Sequence, residues 1–184
     1  MTATTIRVAV LVGSLRADST HRKLAEILRR DTPEHVELDI LEGLDQVPFY
    51  NEDIDGDTAP AAATDLRTRV AAADRVLILT PEYNGTMPAV LNNAIDWLSR
   101  PYGAGALVGK PVGIAGTTPT PYGGKWAHAD AARSVGIAGA VAVEDITISH
   151  PAPGVDVLAD PDLHARLTDA VVKLVDYQPA TTAA

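Results

Sequence analysis

Five short apolar runs, each separated from the next by a turn-rich loop and a stretch of helical spacing, restrict this chain to a narrow set of folds. Residues 6–12 (IRVAVLV) are nearly all apolar and largely β-branched, as in a strand covered on both faces, and a Gly-Ser turn follows. From Thr20 the spacing changes: Leu24, Ile27 and Leu28 fall on one helical face with charges opposite, until Pro33 stops the run. The same succession recurs. Residues 36–41 read as a second strand, then comes a long loop through Pro48 and Asn51, then a helix bearing Leu66, Val70 and Ala73. Residues 75–80 (RVLILT) form a third strand, and Val90, Leu91, Ala94, Ile95 and Leu98 space out a helix after Pro88.

Residues 112–115 supply a fourth strand, and a helix over 124–135 closes at Gly136. A fifth strand spans 141–148, with an acidic interruption at Glu144 and Asp145. In the last helix Asp160 caps, Pro161 takes the first position, and Leu163, Leu167, Val171, Leu174 and Val175 make the apolar face. Strands alternating with helices predict an α/β, doubly wound, five-stranded parallel sheet with helices on both faces, joined by right-handed crossovers. With 184 residues and no shift of composition, one domain is expected over 1–178, with 179–184 as a flexible tail.

Composition removes several kinds of chemistry. There is no cysteine, so thiolate nucleophiles, disulfides and thiolate metal sites are excluded, and the five histidines show no pair at ligand spacing. A net charge of -9 without a basic cluster argues against nucleic acid. The apolar run 8–12 is too short for a membrane span or a signal segment, so no membrane insertion and a cytoplasmic location are expected. Any redox chemistry must use a borrowed group.

Ligands of doubly wound sheets sit beyond the carboxyl ends of the strands, near the point where strand order reverses. That directs attention to the loops after strands one, three and four. The first loop, residues 13–21 (GSLRADSTH), leads into a helix N-terminus, where free amides and the helix dipole favour an anion. Ser14, Arg16 and Ser19 suit a phosphate there, with Thr20 and His21 beside them; in the plainer reading Ser19 or Thr20 only caps the helix and Arg16 is solvated. The loop lacks both GxGxxG and GxxxxGK[ST], so a monophosphate fits better than a dinucleotide or ATP. The second loop, residues 81–88 (PEYNGTMP), is stiffened by its prolines and offers the π surface of Tyr83 and the Asn84 amide to a planar ring. Its plainer reading is a strand-to-helix turn, with Glu82 solvated or aimed at the N-terminus of the helix that follows. The third loop, residues 116–124 (GTTPTPYGG), is either a surface turn or a wall of the same site.

Gly13-Ser14-Leu15-Arg16-x-x-Ser19 together with PEYNGTMPAVLNNAIDW, residues 81–97, resembles the NADPH-dependent FMN reductase family, whose members include quinone, azo and chromate reductases of flavodoxin-like fold. The resemblance implies that Ser14, Arg16 and Ser19 hold the FMN phosphate and that Pro81, Glu82, Tyr83, Asn84 and Gly85 border the isoalloxazine. It further implies that Gly116, Thr117 and Gly123 lie near the flavin. His21, Thr86 and Asn93 stand where the family more often has asparagine, serine and lysine. By the same resemblance, NADPH or NADH reduces bound FMN and a small acceptor such as a quinone, azo, nitro or metal-oxyanion compound reoxidises it. No side chain need act as acid, base or nucleophile, because the cofactor supplies the chemistry. Tyr83 and Tyr122 are candidates to border an acceptor pocket. The resemblance also implies a homodimer or homotetramer, with Trp97, Trp126 and residues 49–53 as candidate contacts or, equally, ordinary core and cover. A flavodoxin-type carrier of electrons, with no acceptor site of its own, is the alternative.

Overall fold

The computed structural model describes residues 5–178; the expected tail, 179–184, lies outside them. The strands are β1 (Ile6–Val12), β2 (Val36–Ile40), β3 (Arg75–Leu79), β4 (Pro111–Thr118), β5 (Val141–Ala142) and β6 (Ile148–Pro151). They form one parallel sheet in the order β2-β1-β3-β4-β5, and β6 pairs with β4 beyond β5. The helices are α1 (Thr20–Asp31), α2 (Ala61–Ala72), α3 (Ala89–Leu98), α4 (Lys125–Ile137) and α5 (Pro161–Asp176).

β1 shows why its apolar run is nearly unbroken. Val8, Val10 and Val12 point to one face and pack with Leu24 and Leu28 of α1 and Leu163, Leu167 and Leu174 of α5. Ala9 and Leu11 point to the other, among Leu66 and Val70 of α2, Leu91 and Trp97 of α3, and Ala127 and Ala131 of α4. Each fully buried Val or Leu contributes roughly 1.5–3 kcal/mol by leaving water, so both faces hold the central strand in register. The α5 cap is as read: Asp160 accepts from the N–H groups of Asp162 and Leu163, both at 3.0 Å.

Two expectations need correction. Helix α4 does not close at Gly136 but runs on to Ile137. The closing glycine is Gly139 at φ +89°, which donates to Gly136 at 3.1 Å while Ala140 donates to Val135 at 3.0 Å, the paired bonds of a Schellman motif. The fifth strand is broken in two by a helical turn at Glu144–Ile146. That turn leaves Glu144 and Asp145 exposed and tucks Ile146 beneath β4, where Gly113 makes room: a Cβ there would lie 3.0 Å from Ile146 Cδ1. The second half, β6, continues the sheet three residues past the expected end and delivers the chain to the carboxyl edge.

The strand order reverses between β1 and β3. The helices that follow these neighbouring strands, α1 and α3, pack on opposite faces, and a crevice opens between their N-termini.

Candidate functional site

The floor of the crevice is built from close strand ends. Thr80, just past β3, is fully buried and donates its N–H to Ala115 at 3.0 Å, while Gly13 donates to Leu79 at 2.9 Å. A Cβ on Gly13 would lie 2.4 Å from Thr80 Oγ1, and one on Gly116 would lie 2.1 Å from the Thr80 carbonyl. Only glycine at both positions lets three loops leave the sheet from so small an area.

Above this floor is an open cavity of about 510 Å³. Ser14, Arg16, Thr20 and His21 line it from the first loop and α1, Pro81, Glu82 and Tyr83 from the second loop, and Thr117 from the end of β4. The other predicted site residues sit nearby without lining it. Ser19 is 2% exposed and its Oγ accepts the Arg22 N–H at 3.2 Å, so it caps α1. Asn84 at φ +54° and Gly85 at φ +75° form the tip of a tight two-residue turn closed by reciprocal Tyr83–Thr86 backbone bonds of 3.0 and 3.1 Å. Gly116 packs on Thr80 as described. Gly123, at φ +63°, lies against the backbone of Ser149 and Pro151, 2.7 Å from where its Cβ would be.

Glu82 is neither solvated nor aimed at α3. Its Oε2 accepts the N–H groups of Trp126 and Ala127, each at 3.0 Å, and so caps α4, whose N-cap residue Gly124 has no side chain to do it. The N-terminus of α4 is therefore already supplied with an anion. That of α1 has no acidic residue in its first turn, and Arg16, exposed nearby, makes no ion pair with a described residue. Thr117 Oγ1 is buried and has no hydrogen-bond partner among the described residues. Free helix amides and an unpaired guanidinium in one polar crevice are what an anionic ligand requires.

His21 is not the surface residue that its place in a first helical turn suggests. It is 5% exposed, and Nε2 accepts the Thr117 N–H at 3.2 Å. Burial, followed by the proximity of His128, pushes its pKa down to about 4. His128 of α4 is buried in turn, with Nε2 3.3 Å from the Thr80 carbonyl and Nδ1 2.7 Å from Ser149 Oγ. A carbonyl only accepts, so Nε2 carries the proton, Nδ1 accepts from the serine, and burial keeps this ring neutral as well.

Thr118, Pro119 and Thr120 of the third loop also line the cavity, and Ala152, Val155 and Val157 give it an apolar wall; none of these was singled out from sequence. The carboxyl-end rule applied to the fifth strand would have found the wall had that strand been carried to Pro151. Tyr122 does not line the cavity; it stacks on Trp126 with centroids 4.6 Å apart, and Lys125 Nζ lies 5.2 and 4.9 Å from the two ring centres. Trp97 is wholly buried and donates Nε1–H to the Pro48 carbonyl at 2.8 Å, which makes it core rather than a contact surface. Asn93 anchors the same loop, accepting from Tyr50 N–H at 2.8 Å and donating to the carbonyls of Val47 and Pro48 at 3.2 and 3.1 Å.

Strand order and the position of the crevice define a flavodoxin-like α/β protein with an open cavity at its switch point. Residues 6–152 match the sequence profile of the NADPH-dependent FMN reductases, and the chain belongs to that family. It is 44% identical over 117 residues to a quinone reductase of Pseudomonas putida, a stretch covering 64% of this chain and 62% of that protein. It is 43% identical over 113 residues to a 2-hydroxy-1,4-benzoquinone reductase of a Burkholderia species, covering 61% of each. The match thus spans less than two thirds of the length of these relatives. Among solved structures, FerB, a flavoenzyme NAD(P)H:(acceptor) oxidoreductase from Paracoccus denitrificans, superposes with a TM-score of 0.82 at 33% identity, covering 94% of this chain and 97% of its own.

Proposed function

We propose that this chain binds FMN non-covalently in the crevice and passes two electrons from NADPH or NADH to a small acceptor such as a quinone. The observation that carries this reading is the convergence, in one cavity of about 510 Å³, of a helix N-terminus with no acidic residue in its first turn, the exposed Arg16 and the exposed ring of Tyr83. Phosphate and planar ring of the cofactor each find a group of matching chemistry.

FMN, when bound, supplies the two-electron redox chemistry. The free amides at the start of α1 together with Ser14, Thr20 and Arg16 hold the phosphate, the guanidinium as the charged partner. Pro81, Glu82 and Tyr83 border the ring from one side, and Thr117 at the end of β4 from the other. Ser19, Asn84, Gly85, Gly116 and Gly123 serve the same site indirectly: they cap the helix, shape the loop turn and allow the strand ends to close. Backbone amides of the second and third loops oppose charge developing on the ring. The apolar wall of Ala152, Val155 and Val157, with Val155 54% exposed, leaves space beside the ring for a flat acceptor.

The described residues act as one FMN-binding domain within a homodimer or homotetramer in the cytoplasm. Support for self-association comes from the exposed Tyr102 and Ile137, at 87% and 74%, which flank a groove between α3 and α4; light scattering on the purified protein reads the assembly directly. No helix among the described residues is long and apolar enough to cross a membrane. To test the function, the protein is mixed with FMN, freed of excess and given NADPH without oxygen, then a benzoquinone. Bound yellow flavin that bleaches and recovers its colour supports a reductase; flavin that stays yellow would point to an electron carrier, and protein that retains no flavin would overturn the reading.

A further inference from the structure

His21 joins two parts of the crevice that lie far apart in the chain. Its backbone belongs to the first turn of α1, and its ring reaches across to the end of β4, where Nε2 accepts the Thr117 N–H at 3.2 Å. Accepting through Nε2 requires the lone pair on that nitrogen, so the neutral ring keeps its proton on Nδ1. The surroundings favour that neutral form. His128 of α4 is the titratable neighbour and is itself neutral, and no described carboxylate accepts from His21. Of the charged groups lining the same cavity, Arg16 of the first loop would repel a charged ring, and Glu82 of the second is engaged by the amides of α4. Thr117, the residue held by His21, also has a buried hydroxyl with no partner among the described residues.

We propose that His21 is a positioning residue for the cofactor site: its unprotonated Nε2 holds the Thr117 amide and thereby fixes the end of β4 that lines the cavity. It is not a cation for the phosphate, although it sits on the phosphate-binding helix turn. The inference rests on the FMN reading for its ligand, while the hold on Thr117 is a property of the free protein. Glutamine can place an amide oxygen near the position of Nε2 and leucine cannot, so the pair His21→Gln and His21→Leu separates acceptance from packing.

FMN and riboflavin affinities are measured by flavin fluorescence at pH 7.5 for wild type and both variants, and the Thr117 amide resonance is followed by ¹⁵N NMR without flavin. The Gln variant should bind FMN within about two-fold of wild type, and the Leu variant about ten-fold more weakly, the loss of one hydrogen bond. Riboflavin affinity should fall by the same factor in the Leu variant, because the phosphate is not what His21 serves. The Thr117 resonance should move in the Leu variant and stay near its wild-type position in the Gln variant. Equal affinities in the Gln and Leu variants, or a loss confined to FMN, would overturn the proposal. If wild type takes up no FMN, the functional reading falls, and the Thr117 resonance still decides whether His21 holds that amide.

Discussion

The loops after β1 and β3 lie side by side over the same crevice, and the charges they present to it, Arg16 and Glu82, are used in opposite ways. In the loop after β3 Glu82 caps α4, Asn84 and Gly85 form a closed turn, and Thr86 Oγ1 bonds Asp130. In the loop after β1 Ser19 caps α1, Asp18 pairs with Lys23 and His21 accepts the Thr117 N–H, whereas Arg16 makes no ion pair with a described residue. The difference separates shape from binding. Groups satisfied within the protein fix where a wall stands, and groups left unsatisfied are available to a ligand.

Substitutions in the shared floor should have the largest effect on stability. Gly116→Ala would force a Cβ to within 2.1 Å of the Thr80 carbonyl and 2.7 Å of His128 Nε2, both held by their own bonds. We expect a loss of about 3 kcal/mol in urea unfolding; a loss below about 0.5 kcal/mol would show that the strand ends can separate.

Acid should come next. The pKa of His21 lies near 4 in the folded chain against 6.5 in an unfolded one, so between these values the unfolded state binds more protons. Its neutral, buried state therefore costs nothing above pH 6.5, and stability falls as pH drops from 6.5 towards 4. By pH 4.5 the loss relative to pH 7.5 should be on the order of 2–3 kcal/mol, measured as the difference in pH dependence between wild type and His21→Gln. Parallel curves for the two proteins would show that His21 is charged or exposed when folded.

The two loops then divide. Glu82→Ala removes the acceptor of two amides at the start of α4 and should destabilise by about 1–2 kcal/mol, read as a lowered urea midpoint. Arg16→Ala should change the urea midpoint least, within about 0.5 kcal/mol, because no internal partner is lost. The same change should weaken FMN at least about ten-fold, and the loss should shrink with added salt. A destabilised Arg16→Ala, or unaltered FMN affinity, would erase the contrast between the loops.

Much of this was legible in the chain. Strands β1 and β3, the capped start of α5 and the place of the crevice follow from apolar periodicity, Asp160-Pro161 and the carboxyl-end rule. The family motif located the two loops that line half of the cavity. The sequence signal failed where a partner is remote. Glu82 has the same local pattern whether solvated or capping a helix 44 residues away, and His21 reads as a surface residue until β4 is placed against α1. The break in the fifth strand was hidden for a similar reason, since nothing in 141–148 announces that Gly113 has left space for Ile146.

What the sequence determined by itself is the alternation of strand and helix, the layering of the sheet between helices and the chemistry of the loops. These are local properties, set by spacing, turn residues and caps within a few positions of one another. Only the tertiary structure decided which polar groups remain available, that two histidines are buried and neutral, and that an apolar wall from 152–157 completes the cavity. Desolvation and hydrogen-bond satisfaction depend on what packs against a residue, and for Glu82 and His21 that is a segment distant in the chain.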